Sequence, residues 1–224
     1  MTLQTTSHWQ RWFVEADCLA AREDFSSPTP VLLYWLAIEG YLEYLCSLVL
    51  SHGLIKNEAL HQLIHGFTAR SDGGRPIPVV TRLFEISNLH SSIPKKLSDQ
   101  PWEDANLLNE LRNCISHTSP TILVIGVGQQ TQNFKQVRSR HRKLFCQLRK
   151  AGLILGENDI NRPDWYEMSS AINYHKWARK AALSVFDCVQ SSISDSTPEL
   201  KYMSKAISHQ YLEGNLGSVG AHNR

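Results

Sequence analysis

TPVLLYWLAIEGYLEYLCSLVL, residues 29–50, decides what kind of fold this chain can adopt. Its length and apolar content suit either a bilayer span or the central helix of a packed core. Glu39 and Glu43 separate the two, because an acidic residue near the middle of a membrane helix costs on the order of 2.5–3.5 kcal/mol. The segment therefore reads as a buried core helix from Val31 to about Ser51, with Thr29 as its cap and Pro30 in its first turn. Glu39, Glu43 and Ser47 recur every four residues and draw one polar stripe down an otherwise apolar cylinder. That stripe is either a strip of solvent exposure or a polar seam facing another helix.

Helical periodicity extends outward from this element in both directions. A first helix is expected over about Ser7–Asp24, with Trp9, Phe13, Ala16 and Ala20 along its apolar face. Downstream, helices are expected over about Asn57–Ala69 and Ile77–Asn88, separated by the turn-rich stretch from Arg70 to Pro76. Another starts near Trp102, where Ser98 or Asp99 caps it and Glu103 and Asp104 favour its first turn. Thr118-Ser119-Pro120 ends it, since proline disfavours helical geometry in the residue before it. Ile122–Gly126 is β-branched and reads as a short strand. A basic amphipathic helix follows over about Phe134–Ala151, with Val137, His141, Leu144 and Leu148 inward and Gly152 as its stop. Leu153–Glu167 reads as loop or small hairpin, and a long helix over Ser169–Ser194 carries Ala171, Tyr174, Ala178, Ala182, Val185 and Val189 on its inner stripe. Thr197-Pro198 opens a last short helix.

Composition narrows the class without naming a chemistry. With 42% apolar and 20% charged residues and a net charge of +2, the 224-residue chain has the profile of a globular protein, neither disordered nor fibrous. Five cysteines, an odd number without a C-x-x-C pair, argue against a disulfide framework or a zinc knuckle. The start, Met1 to His8, lacks the basic and apolar pattern of a secretion signal, so a reducing cytoplasm and no membrane association are expected. His61 and His65 stand four apart but lack the acidic residue of H-E-x-x-H and a third ligand. No metal or other cofactor is expected.

Chemistry concentrates in Arg112-Asn113-Cys114-Ile115-Ser116-His117, at the end of the helix that starts near Trp102. Residues four apart on a helix diverge by about 40° and residues five apart by about 140°. Asn113 and His117 therefore share a face, and Arg112 is set aside. Asn113 is positioned to hydrogen-bond one imidazole nitrogen and fix the tautomer, leaving the other nitrogen for a ribose 2′-hydroxyl or a leaving oxygen. Arg112 offers a permanently charged fork to a phosphate. At a helix C-terminus the exposed carbonyls favour a protonated His117, which suits proton transfer near neutrality. Glu39 or Glu43 is a candidate partner for Arg112, and Ser116 is a further supporting residue. Lys135, Arg138, Arg140, Arg142, Lys143, Arg149 and Lys150 supply seven cations without an intervening acid, either a solvated face or a track for RNA phosphates.

R-N-x-x-x-H at a helix end in a small helical protein resembles the signature of the HEPN family. The resemblance implies an all-α bundle that commonly dimerises so that two motif helices meet. It also implies metal-independent RNA cleavage by attack of the 2′-hydroxyl on the adjacent phosphate, with Arg112, Asn113 and His117 at the motif positions. A role as toxin or phage-defence effector, with an antitoxin or defence-system partner protein, follows from the same resemblance. The expected organisation is one HEPN-like domain over 1–207, with an insertion of short strand and basic helix over about 120–168, and a disordered tail over 208–224. Independently of the family, the divergence of Arg112 from His117 favours a homodimer in which each phosphate meets residues of both subunits. The function expected is a metal-independent endoribonuclease. The alternative is a non-catalytic RNA-binding or partner-assembly module, with a DNA-binding regulator as a weaker variant.

Overall fold

The computed structural model describes residues 8–22, 25–50, 58–71, 76–89, 96–117, 131–154 and 164–194, without the side chains of residues 48, 70, 71, 117, 131–140, 193 and 194. Among these residues the fold is all-α, with eight helices and no strand: α1 His8–Ala20, α2 Thr29–Leu50, α3 Glu58–Ser71, α4 Val79–Asn88, α5 Trp102–His117, α6 Thr131–Lys150, α7 Trp165–Ser169 and α8 Ile172–Ser194. The expected strand at 122–126, the helix from Thr197 and the tail lie outside the described residues. No described helix is long and apolar enough to cross a membrane. All five cysteines are free thiols.

The apolar face of α2 builds the centre. Val31, Tyr34, Trp35, Ala37, Ile38, Tyr41, Leu42, Leu45 and Val49 are all buried, too wide a stripe for one neighbour, and α1 and α8 both pack on it. Trp9 stacks edge-on to Tyr41 and Phe13 edge-on to Tyr34, so α1 runs antiparallel to α2. Phe186 meets Tyr41, and His175 bonds the carbonyl of Ser27 just before α2, so α8 runs parallel to it. The aromatic cluster closes with Trp9 and Phe13 against Phe186, each such pair adding roughly 0.5–1.5 kcal/mol beyond burial. Gly40 lets α1 come close. A Cβ there would lie 2.8 Å from Trp12 Cζ3 and 3.1 Å from Trp9 Cβ.

Polar ties fix the rotation of these helices. Asp17 accepts from Tyr34 Oη at 2.6 Å and from Arg179 Nε and Nη2 at 2.8 and 3.1 Å, joining α1, α2 and α8 through one carboxylate. Burial and the neighbouring Asp17 push the Tyr34 phenol far above its ordinary pKa. Trp177 Nε1 donates to Asp104 Oδ1 at 3.1 Å, which ties the first turn of α5 to α8.

Several boundaries differ from expectation for identifiable reasons. The cap of α2 is Ser27, whose Oγ accepts from the Thr29 backbone N–H, and Leu32 N–H reaches Pro28 O. Pro28 precedes α2, and Pro30, the second residue of the helix, lies in its first turn as expected. Asp99 starts α5 through its carbonyl, which accepts from Trp102 and Glu103, while its carboxylate accepts from Lys96 N–H. Within the expected loop before α8, Asp164 accepts from Glu167 N–H and caps α7, so α8 starts at Ile172. Gly152 does stop α6. At φ +74° it donates to Arg149 O while Leu153 donates to Leu148 O, a Schellman arrangement with buried Leu148 and Leu153 as its apolar contact. Leu144, Phe145, Leu148 and Trp165, within the segment expected to be an insertion, join the same core as α2 and α8.

Candidate functional site

The buried side of α5 determines where the motif emerges. Trp102, Ala105, Leu107, Leu108, Leu111, Cys114 and Ile115 are inside, and a helix so anchored cannot rotate without exposing them. Arg112 and Asn113 consequently leave the helix half-buried, Arg112 on the flank that meets α2. Arg112 Nη2 lies 3.8 Å from Glu39 Oε2, with the two side chains 32% and 29% exposed. The polar stripe of α2 thereby divides: Glu39 faces the motif helix, whereas Glu43 and Ser47 are exposed.

Arg112 also reaches around its own helix. Its Nη1 donates to Asn113 Oδ1 at 3.0 Å, and Asn113 Nδ2 donates to Asn109 Oδ1 at 3.5 Å. Helix geometry separates the Cβ directions of Arg112 and Asn113 by about 100°, yet the length of the arginine side chain closes that gap. The expectation that Arg112 is set aside is therefore corrected. Asn113 is engaged by Arg112 on its oxygen and by Asn109 on its nitrogen. Spacing alone puts His117, the last residue of α5, on the face of Asn113; its side chain lies outside the described residues. Ser116 is exposed. Asn109 was not singled out from the sequence, although its place four residues before Asn113 is the signal for it.

Two partly exposed charges 3.8 Å apart interact weakly, at most about 1 kcal/mol. Glu39 thus orients Arg112 without locking it. A guanidinium has five N–H donors in a rigid fork, and the two contacts described do not exhaust it. An incoming phosphate, which takes shorter charge-assisted bonds, competes well with a carboxylate held at this distance.

The basic helix lies beside the motif helix, since α6 packs on α5. Arg142, Lys143, Arg149 and Lys150 are exposed, with the Arg149 guanidinium 5.2 Å from the centroid of the Phe145 ring. Lys135, Arg138 and Arg140 belong to the first half of α6, and their side chains lie outside the described residues. His141 packs edge-on against Trp165, ring centroids 5.6 Å apart. On α3, His61 is half-buried and His65 exposed, and no cluster of three metal-ligating side chains occurs among the described residues. Comparison with protein-family models, curated proteins and solved structures finds no match to this chain.

Proposed function

We propose that the protein is a metal-independent endoribonuclease of HEPN type, working as a homodimer. The observation that carries the reading is the half-exposed Arg112 guanidinium, held between Glu39 of α2 and Asn113 of α5 one turn before His117. In the proposed reaction one His117 removes the proton of a ribose 2′-hydroxyl, and the 2′-oxygen attacks the adjacent phosphorus. The P–O5′ bond breaks, the 5′-oxygen takes a proton from the second His117, and a 2′,3′-cyclic phosphate remains. Arg112 neutralises charge on the phosphorane, and Asn113 keeps its fork aimed. The nucleophile belongs to the RNA, so this scheme calls on no metal and no protein nucleophile. Placement in a toxin or defence system and beside a partner protein rests on the resemblance of the motif, and placement in the cytoplasm on the pattern of cysteines.

Incubating RNA with the protein in excess chelator tests the reading. Cleavage should persist, leave cyclic phosphate ends and fall at least about 100-fold in folded His117→Ala, the low end for losing a general acid or base. A strict requirement for divalent metal, or 5′-phosphate products, would contradict it. A second reading has one specific observation in its favour: both polar atoms of Asn113 are used within the protein, as in a purely structural motif. A non-catalytic RNA-binding or assembly module would then bind RNA without cutting it, and Asn113→Ala would impair folding.

A further inference from the structure

Two arginines of the bundle are held by protein acceptors. Arg179 gives Nε and Nη2 to Asp17, and Arg112 is drawn between Glu39 and Asn113. Arg82 of α4 is different. Its side chain is half-buried, and its Nε is covered from solvent without a hydrogen-bond partner among the described residues. A buried donor on a permanent cation is costly to leave unpaired. A guanidinium that packing holds with this donor unspent keeps its demand for an anion.

The helix that carries Arg82 is fixed on its other side. Phe84 packs edge-on against Trp102 of α5, ring centroids 5.6 Å apart, and Ser192 of α8 donates to the Ser87 carbonyl. Residues 82 and 84 diverge by about 160° around a helix, so Arg82 leaves α4 away from this contact with α5 and toward α2. Burial raises the pKa of the Cys46 thiol of α2, Arg82 pulls it down and Glu43 adds to the rise; guanidinium and carboxylate both stand near that thiol. Cys46 follows Glu39 by seven residues, on the same face of α2 and about 10 Å along its axis. Glu39 is the residue that faces Arg112. One flank of α2 therefore meets Arg112 from α5 at one point and Arg82 from α4 about two turns further on.

We propose that Arg82 is a second phosphate contact of the RNA site, holding the backbone of the strand whose scissile phosphate lies at Arg112. The inference rests on the nuclease reading for the identity of the strand, and on Arg82 itself for the demand for an anion. At roughly 3.4 Å per nucleotide in a stacked strand, the distance along α2 corresponds to about three nucleotides. Glu39 and Glu43 border the same flank and disfavour a lone anion. A strand with phosphates at both arginines makes its second contact intramolecularly, which offsets the carboxylates. The property read is then the length of the strand, independent of its bases.

RNA methylated at every 2′-oxygen lacks the nucleophile and tests the contact without requiring activity. A hexanucleotide spans both arginines, whereas a dinucleotide has a single phosphate between its sugars. The hexanucleotide should move the Arg82 Nε–H resonance of the wild-type protein. Arg82→Gln should weaken hexanucleotide binding at least about tenfold and lower its log-log salt slope by about 0.7, the value of one phosphate contact on a single strand. Dinucleotide binding should fall much less, and Glu43→Gln, which removes a bordering carboxylate, should tighten the hexanucleotide. Unchanged affinity and slope in folded Arg82→Gln would overturn the proposal, as would an Nε–H resonance indifferent to the hexanucleotide. The wild-type resonance decides the matter if Arg82→Gln fails to fold. Cleavage assays on unmodified RNA separate the two readings. Arg82-dependent hexanucleotide binding by a protein that cuts no RNA supports the contact and defeats the nuclease. Cleavage with equal KM in wild type and Arg82→Gln supports the nuclease and defeats the contact.

Discussion

Replacing Arg112 by alanine should separate catalysis from stability, because the structure gives the two roles very different weights. The stability contribution is the Glu39 pair, 3.8 Å long with both side chains about one-third exposed, together with one hydrogen bond to Asn113. A screened pair of this kind is worth at most about 1 kcal/mol, and 1 kcal/mol moves the melting temperature of a domain this size by roughly 2–4 °C. The catalytic contribution is larger, since removing a group that stabilises transition-state charge costs about 10²–10³ in rate. Cleavage of a fluorogenic RNA in excess chelator should thus fall at least about 100-fold while the melting temperature drops only a few degrees. Glu39→Gln keeps the cation and loses only its anchor, so its loss of rate should not exceed about fivefold, the equivalent of 1 kcal/mol at 1.4 kcal/mol per tenfold. A folded Arg112→Ala protein that cleaves near the wild-type rate would refute the reasoning. A collapse in stability with no selective effect on cleavage would assign Arg112 to packing.

Mixing folded Arg112→Ala and His117→Ala subunits should restore part of the activity if each site draws on both protomers; no recovery after verified subunit exchange would mean that each subunit acts alone. Neutralising Arg138, Arg142 and Arg149, which share one stripe of α6 by their spacing, should weaken RNA binding. The log-log salt slope should flatten by about 0.7 per lost phosphate contact on a single strand, with little change in cleavage at saturating RNA. An unchanged slope would make this face merely solvated. Burial holds the His175 pKa below its usual 6.5, against the opposing pull of the Ser27 and Ser169 carbonyls. A depressed folded value means that the unfolded chain takes up the proton first. The stabilising contribution is therefore complete above about pH 6.5 and is lost as pH falls through the lower, folded value. Urea midpoints should drop from pH 7.5 to pH 5, and less steeply in His175→Gln; equal slopes would remove His175 as the cause.

Local chemistry carried much of this protein in its sequence. Apolar spacing marked out α2 and the inner stripe of α8. Gly152 marked the stop of α6 because few other residues tolerate a left-handed turn. Each of these depends on residues within a turn or two of one another, so periodicity and backbone sterics suffice to read them. The cap of α2 was a different matter, as Ser27 and Thr29 both meet the local rule for a capping residue and only the bond from the Thr29 N–H to Ser27 Oγ separates them.

What tertiary structure decided were the pairings between helices. Glu39 and Glu43 are equivalent along the stripe, and only the docking of α2 on α5 puts Glu39 opposite Arg112 and leaves Glu43 exposed. Backbone angles alone set Arg112 apart from Asn113; a flexible side chain six bonds long, drawn between a carboxylate on one helix and an amide on its own, brought them together. Between the motif and the last helix, Leu144, Phe145, Leu148 and Trp165 bury themselves in the common core. Burial depends on surface removed by distant partners, and a one-dimensional pattern records which face is apolar without recording what will cover it.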